Sequence, residues 1–336
     1  MNLLPERRCK GLVLTRYFSL DEYPIYIKAG AVLPMYNDKV MNLNGKDETI
    51  VLNVIPGKTS SEFTLYEDNG DDKNYQKEVD EIAIDDVYRK MVDFPKQYPK
   101  TSLPSVQNYV DAFTPHVKEG RAVICVCITT SLSGSYNSAC NAKEIVCEEY
   151  PDAKITVINS LGATVLQWLF VIEAAKLKKS GATYEEAVEK LTSPEYLATG
   201  RIFFTVGNTD YLKHGGRIGK VASVASSALN LKPIITLKDG SIDASGIARS
   251  RKKSILKTYD LLRNYFAENG EDPNDYVYAV GYGYDREEGL EYKKEFDKVM
   301  SELGLKEETN IAHIGATICV HTGPYAIGAG LIKKII

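Results

Sequence analysis

The densest chemistry in this 336-residue chain lies at residues 123–139, VICVCITTSLSGSYNSA. An apolar run over 123–128 reads as a buried strand that ends on the hydroxyls of Thr129, Thr130, Ser131, Ser133 and Ser135. The chain then bends at Gly134 and opens a helix. A turn of this kind aims unpaired backbone N–H groups and the positive end of a helix dipole into one small space, which suits a carboxylate or a phosphate. Ser and Thr at this place suit an ordinary helix N-cap equally well. No Lys follows Gly134 and no GxxxxGK[ST] pattern is present, so a nucleotide P-loop is excluded.

Three further segments can converge on the same space. TSLPS at 101–105 presents Thr101, Ser102 and Ser105 around Pro104, which is expected near the first turn of the next helix. YLKHGGRIGK at 211–220 makes a Gly215-Gly216 loop that carries Arg217 and Lys220. VHTGPYAIG at 320–328 puts His321 at the end of an apolar strand, before a tight Gly323-Pro324 turn. Taken singly, each has a structural reading: a helix cap, a solvated basic turn, a strand-end histidine.

The elements that must position these groups follow from hydrophobic periodicity. Helices are expected over 84–91, 105–117, 135–149, 161–180, 184–191, 255–268 and 287–303, and strands over 123–128, 154–158, 202–206, 232–237, 277–283 and 310–319. Strands separated by helices imply an α/β fold with a wound, largely parallel sheet, whose ligands sit beyond the carboxyl ends of the strands. Residues before about 78 read instead as a small all-β segment. Apolar and polar residues alternate over 48–54 and 60–66, and EDNGDDKNY at 67–75 is a polar hairpin loop with an Asn-Gly turn signal.

Composition narrows the function classes. Hydrophobic residues are 44% and charged residues 26%, enough for a globular core. The net charge of −4 comes with no basic stripe, which argues against nucleic acid. No apolar run reaches the roughly 18 residues of a membrane span. The opening MNLLPERRCK has no apolar leader core, so the expected location is cytoplasmic. The six cysteines, Cys9, Cys125, Cys127, Cys140, Cys147 and Cys319, form no CxxC pair and read as free thiols of a reducing compartment. His116, His214, His313 and His321 do not join them at ligand spacing, so no metal is expected.

In order, TSLPS, ITTSLSGSYNSA, VINS, YLKHGGRIGK, NLKPIITLKDG, RSRKKS and HTGP resemble the DegV family, bacterial proteins that carry a fatty acid, over residues from about 84 to the end. The resemblance implies two α/β lobes with a long-chain acyl group buried between them and its carboxylate held by hydroxyls and backbone amides. It also implies, for some members, service as the acyl-binding subunit of a fatty acid kinase whose separate ATP-binding subunit phosphorylates the carboxylate. Carried over by position, Thr101 with Ser102 beside it, Ser133, the N–H of Gly134, and His321 surround the head group. Arg217, Arg249 and Arg251 fall in basic segments that would meet the kinase partner or the acyl phosphate. No catalytic residue and no cofactor are implied; the fatty acid is the ligand. A hydrolase built on Ser133 and His321 is disfavoured because the turn lacks a GxSxG elbow. Wall positions for an alkyl tunnel are Leu161, Leu166, Phe203, Phe204, Ile234 and Ile314. This chain has His214 where the family usually has Arg, Tyr325 for Gly, and Asn159 for Asp.

The front of the chain resembles a different family. RYFSLDEYPIYIKAGAVLPM at 16–35 and FTLYEDNGDDKNY at 63–75 look like the β-rich C-terminal region of family 31 glycoside hydrolases. The catalytic barrel of those enzymes has no counterpart here, so Asp68, Asp71 and Asp72 read as loop solubility and no hydrolysis is expected. The opening strand and D-S-[ST] loop of DegV proteins are not found. The expected layout is therefore a β-rich fragment at 1–78, a first lobe at 79–200 lacking its opening strand, and a second lobe at 201–336. The join reads as a recombined or misassembled frame in preference to a true fusion, with one sheet edge left unpaired. The alternative function is a carbohydrate-associated β module joined to a non-functional DegV fragment.

Overall fold

The computed structural model describes residues 26–29, 62–64, 75–77, 83–222 and 231–336. The polar loop at 67–74, the alternation at 48–54 and most of the hydrolase-like segment lie outside the described residues.

One sheet is built on β5 (Val123–Cys127), flanked by β1 (Tyr26–Ala29) and β6 (Ile155–Asn159), all parallel. Every residue of β5 is buried, as a continuous apolar run requires when both faces of a strand are covered. The period of two sorts its side chains. Val123, Cys125 and Cys127 pack with Tyr109 and Phe113 of α2 (Val106–Lys118) and with Ala139, Ala142 and Val146 of α3 (Ser135–Glu149). Ile124 and Val126 face the main core, which also holds most of α4 (Thr164–Lys179).

The pairing of β1 corrects the expectation of an open edge: Tyr26 lies opposite Val123 and Ala29 opposite Val126. A backbone ladder needs only extended chain of suitable propensity, so YIKA at 26–29 can fill the edge without a D-S-[ST] loop after it. β2 (Glu62–Thr64) likewise pairs antiparallel with β3 (Tyr75–Lys77) and with β4 (Lys100–Thr101), Phe63 opposite Thr101.

The second sheet has the order β11-β10-β12-β7-β8-β9. Its strands are β7 (Arg201–Thr205), β8 (Lys232–Lys238), β9 (Ser241–Ala248), β10 (Tyr276–Tyr282), β11 (Asn310–His313) and β12 (Ile327–Lys333). Only β10 and β11 pair parallel; the other neighbours are antiparallel, so the expected parallel order holds for the first sheet and not for this one. Two turns explain the change. Asp239 (φ 50) and Gly240 (φ 78) form a left-handed two-residue link between β8 and β9, the Asp-Gly geometry that joins antiparallel strands. After Gly323-Pro324, β12 returns antiparallel between β10 and β7.

The expected strand over 310–319 stops at His313. Gly315 is extended and caps a short helix, α10 (Ala316–Thr322), so His321 sits on a helix and not at a strand end. α4 begins at Thr164 after a left-handed Leu161 (φ 51), later than its apolar run suggested. Pro104 precedes the N-cap Ser105 of α2. The other helices are α1 (Ile84–Asp93), α5 (Tyr184–Thr192), α6 (Pro194–Leu197), α7 (Asp210–His214), α8 (Arg251–Asn269) and α9 (Arg286–Glu302). Among the described residues no helix is long and apolar enough to cross a membrane.

Candidate functional site

The hydroxyls after β5 divide into two sets. Thr129 Oγ1 donates to the Gly240 carbonyl at 2.7 Å, and Ser131 Oγ donates to the same oxygen. These two residues brace the first sheet against the β8–β9 hairpin. A side chain at Gly240 would collide with Thr129 Oγ1, which leaves room only for glycine. Thr130 Oγ1 accepts from Asn159 Nδ2 at 3.2 Å. Further along, Ser133 and Ser135 pair through their hydroxyls at 2.8 Å, and the Ser135 N–H donates to Ser133 Oγ at 3.2 Å. Gly134 is the N-cap of α3 and has no side chain to cap it, so Ser133 Oγ takes that task for the Ser135 N–H.

Across from this turn, Thr101 Oγ1 lies 3.0 Å from His321 Nε2. Burial, and then the Arg217 charge, push the His321 imidazole down to about 4, so it is neutral at physiological pH. His321 Nδ1 packs against Gly215, where any Cβ would collide with it. Arg217 spans the gap between the two sides: Nε donates to the Leu132 carbonyl at 3.0 Å and Nη1 to Gly215 at 2.6 Å.

These groups border one cavity with about 1040 Å³ of space, counted out to its open mouth. Thr101, Ser102, Ser133, Ser135, Arg217 and His321 line it, and the remainder is mostly aliphatic, with Ile128, Phe204, Leu237, Ile242, Ile314 and Ile318 among the walls. Gly134 is adjacent without lining it. Arg249 is exposed, and Arg251 is committed to a bidentate pair with Glu288 at 2.7 and 2.6 Å. Of the three arginines only Arg217 lines the cavity; Arg249 and Arg251 stand away from the lining.

Of the expected wall positions, Phe204 and Ile314 line the cavity. Phe203, one residue along β7, points to the opposite face and packs with Tyr259, Leu262 and Phe266 of α8. Leu166 fills the core against Gly162 and Gly200, Leu161 turns the chain beside Gly240, and Ile234 is buried in β8 away from the lining. Three threonines missed from the sequence also line the space: Thr164, Thr317 and Thr322. Thr322 stood in the HTGP motif. Thr317 was hidden in a run read as strand, and Thr164 starts α4 in a left-handed conformation (φ 46) that no residue pattern announced.

The departures from the family pattern also have places. His214 stacks on Tyr98 with ring centroids 3.6 Å apart. Tyr325 is exposed, packs over Gly207 and meets Tyr284 edge-on. Asn159 holds the turn after β6 through Leu161 N–H. Cys125 and Cys127 lie side by side, Sγ to Sγ 3.7 Å. Among the described residues no cluster of His, Cys, Asp and Glu is arranged to hold a metal ion.

A parallel sheet and a mixed sheet, with hydroxyls and an imidazole in the lining of a mostly aliphatic cavity, define a small-molecule-binding α/β protein. The chain belongs to the DegV family: the model described as "Uncharacterised protein, DegV family" matches residues 69–334, a span that begins ahead of the boundary expected near residue 79. The chain is 45% identical to a stearic-acid-binding protein from Eubacterium ventriosum, whose crystal structure matches with a TM-score of 0.75 over 82% of this chain and 91% of that one. A fatty-acid-binding DegV family protein from Thermus thermophilus is 26% identical, with a TM-score of 0.68 over 82% of this chain and 91% of its own. A DegV domain-containing protein from Clostridium perfringens is 30% identical over 84% of this chain and 92% of its own length.

Proposed function

We propose that this protein binds one long-chain fatty acid, with the carboxylate among Thr101, Ser102, Ser133, the N–H of Gly134 and His321, and the alkyl chain against the aliphatic wall. The observation that carries this reading is the cavity lining, where Thr101 bonded to a neutral His321, and Ser133 paired with Ser135 beside them through the Leu103–Gly134 contact, border a wall that is otherwise mostly aliphatic. The 45% identity to a stearic-acid-binding protein supports it. Each buried CH₂ contributes roughly 0.8 kcal/mol, so a tail of about 16 carbons exceeds 10 kcal/mol gross and dominates affinity. The head-group donors then set orientation. A carboxylate loses less on leaving water when such donors replace its hydration.

We assign the two lobes to 79–200, which carries β5 and β6 of the parallel sheet, and 201–336, which carries the mixed sheet, with α1 of the first packed on α7 and α10 of the second. In this reading the front segment contributes strands to the first lobe and carries no activity of its own. The protein works as a binding protein in the cytoplasm, a location that fits five described cysteines that form no disulfide with one another. In the finer version it presents its acyl carboxylate to a separate ATP-binding kinase subunit. Exposed Arg249 is available for such a partner, whereas Arg251 is held by Glu288.

Calorimetric titration of delipidated protein with stearate tests the reading. Saturable uptake at one site per chain is expected. Folded, delipidated protein that takes up no stearate or other long-chain acid would overturn it.

A further inference from the structure

Residues 94–105 connect two bodies that belong to different cores. On one side, α1 packs Ile84, Val87, Tyr88 and Met91 against Tyr211 of α7 and Ala316, Cys319 and Val320 of α10. Tyr88 Oη donates to the Ile314 carbonyl at 2.9 Å, and Tyr211 Oη to Met91 at 3.4 Å. On the other side, α2 is sealed into the first-sheet core through Tyr109 and Phe113. The connection between them crosses the cavity, with Thr101, Ser102 and Leu103 all in its lining. Leu103 is at the same time 45% exposed and approaches Gly134 of the serine turn. Much of the remaining wall is strand and helix held by backbone ladders; this connection has only the two-residue β4.

We propose that residues 94–105 are a strap that gates the cavity, held closed by the Tyr98–His214 stack and the Thr101–His321 hydrogen bond. The proposal rests on the fatty-acid reading of the cavity and adds the route of access and the residue that controls it. Tyr98 is the fastening point. Its ring lies flat on His214, centroids 3.6 Å apart and planes 5° from parallel, and meets Tyr211 edge-on at 5.2 Å. His214 is fixed in turn by Nδ1 against the Asp210 carbonyl at 2.9 Å. Three residues further on, Thr101 reaches His321. A ring seated in that stack therefore sets where Thr101 and Leu103 lie. β4 pairs with β2, which pairs in turn with β3, so these two strands are tied to the strap. Tyr98 acts as a positioning residue for Thr101 and touches no ligand itself.

Loss of the stack raises the share of molecules with the strap open, while each closure returns Thr101, Ser102 and Leu103 to the same wall. Association and dissociation should therefore change together while equilibrium affinity stays nearly constant. A stacked aromatic contact of this kind corresponds to roughly a three- to tenfold factor in the population of the open strap.

The test is stopped-flow uptake and release of a fluorescent long-chain fatty acid by the full chain, in wild type, Tyr98→Ala, Tyr98→Phe and His214→Ala. In Tyr98→Ala and His214→Ala both rates should rise three- to tenfold with Kd within about twofold of wild type, and Tyr98→Phe should behave as wild type because the ring still stacks. His214 is exposed, so its variant reads the stack even where loss of the Tyr98 ring unfolds the protein. Unchanged rates in folded His214→Ala, or a faster release with unchanged uptake, would overturn the gate while leaving the binding reading intact. A wild-type protein that takes up no probe would overturn both.

Discussion

Two turns meet across the cavity, and they were not equally visible in the sequence. The turn after β5 is punctuated by hydroxyls and a glycine, and its helix start was read at Ser135, where it lies. The turn after β11 sits inside IAHIGATICV, and the sequence reading carried a strand straight through it. The difference lies in what covers each element. Helix α3 has a solvated face, so its polar positions reveal its period. The short helix α10 buries Ala316, Ile318, Cys319 and Val320, and a helix covered on nearly all sides loses the contrast that marks a period. The only break in that run is Gly315. The functional pair Thr101–His321 depends on the less visible turn.

The largest expected effect separates the two turns by their ligand contacts. Thr101→Ala with Ser133→Ala removes one donor from each side, and at 1.5–3 kcal/mol for each bond to a charged group the affinity for stearate should fall at least about a hundredfold. Stability should fall by about 1–3 kcal/mol, because Thr101→Ala leaves the buried His321 Nε2 without this partner; calorimetry on the folded protein and a melt on the same sample separate the two effects. Equal loss from either single variant would show that neither side dominates.

Acid sharpens the contrast because only the second turn carries a titrating group. His321 is held down to about 4, below the ordinary 6.5. The unfolded chain therefore takes up its proton first as pH falls. Stability should be intact above about pH 6.5 and decline through the window down to about 4, by roughly 2–3 kcal/mol for this group. Buried His313, also shifted down by desolvation, acts in the same direction. Urea midpoints between pH 4 and 8 in wild type and His321→Asn measure the His321 share. Identical slopes for the two proteins would contradict a buried neutral imidazole.

A smaller effect is expected from the bracing hydroxyls of the first turn. Thr129→Ala with Ser131→Ala leaves the Gly240 carbonyl without its two donors, which should cost about 1–3 kcal/mol of stability. Affinity per folded molecule should fall less than in the Thr101/Ser133 variant. A reversal of that order would mean that the hydroxyls had been assigned to the wrong tasks. Gly215→Ala should have the mildest consequence: the new methyl displaces His321 from Thr101 and weakens binding about tenfold, in line with one lost hydrogen bond.

Much of the fold was legible. The alternation from residue 84 onward shows the long helices and strands β5 to β8 and β10 within a few residues, because their faces are sorted between core and solvent; the short helices α7 and α10 and the strand β12 were not among the expected elements. β9 was missed because SIDASGIA carries too little apolar period, although the Asp-Gly turn before it already called for a hairpin. The mixed order of the second sheet was missed for a related reason. Helix–strand alternation predicts neighbours in sequence, and it does not show β12 returning between β10 and β7. At the site, Thr101, Ser102, Ser133 and His321 were readable from ordered motifs, and the structure brings them to one cavity. The pairing of Arg251 with Glu288 was not visible in the sequence, because the two lie 37 residues apart, on α8 and α9. The choice between Phe203 and Phe204 as a wall depends on which face of β7 each occupies, and two adjacent phenylalanines give no clue to that.

The central claim is that the hydroxyls and imidazole of the cavity lining orient a long-chain fatty acid. Mass spectrometry of the purified protein under native conditions, followed by solvent extraction, tests it most directly. One long-chain acid per chain in the wild type, and its loss from folded Thr101→Ala/Ser133→Ala protein, is the expected result. Folded wild-type protein that carries no lipid and recovers none from a fatty acid mixture would contradict the account.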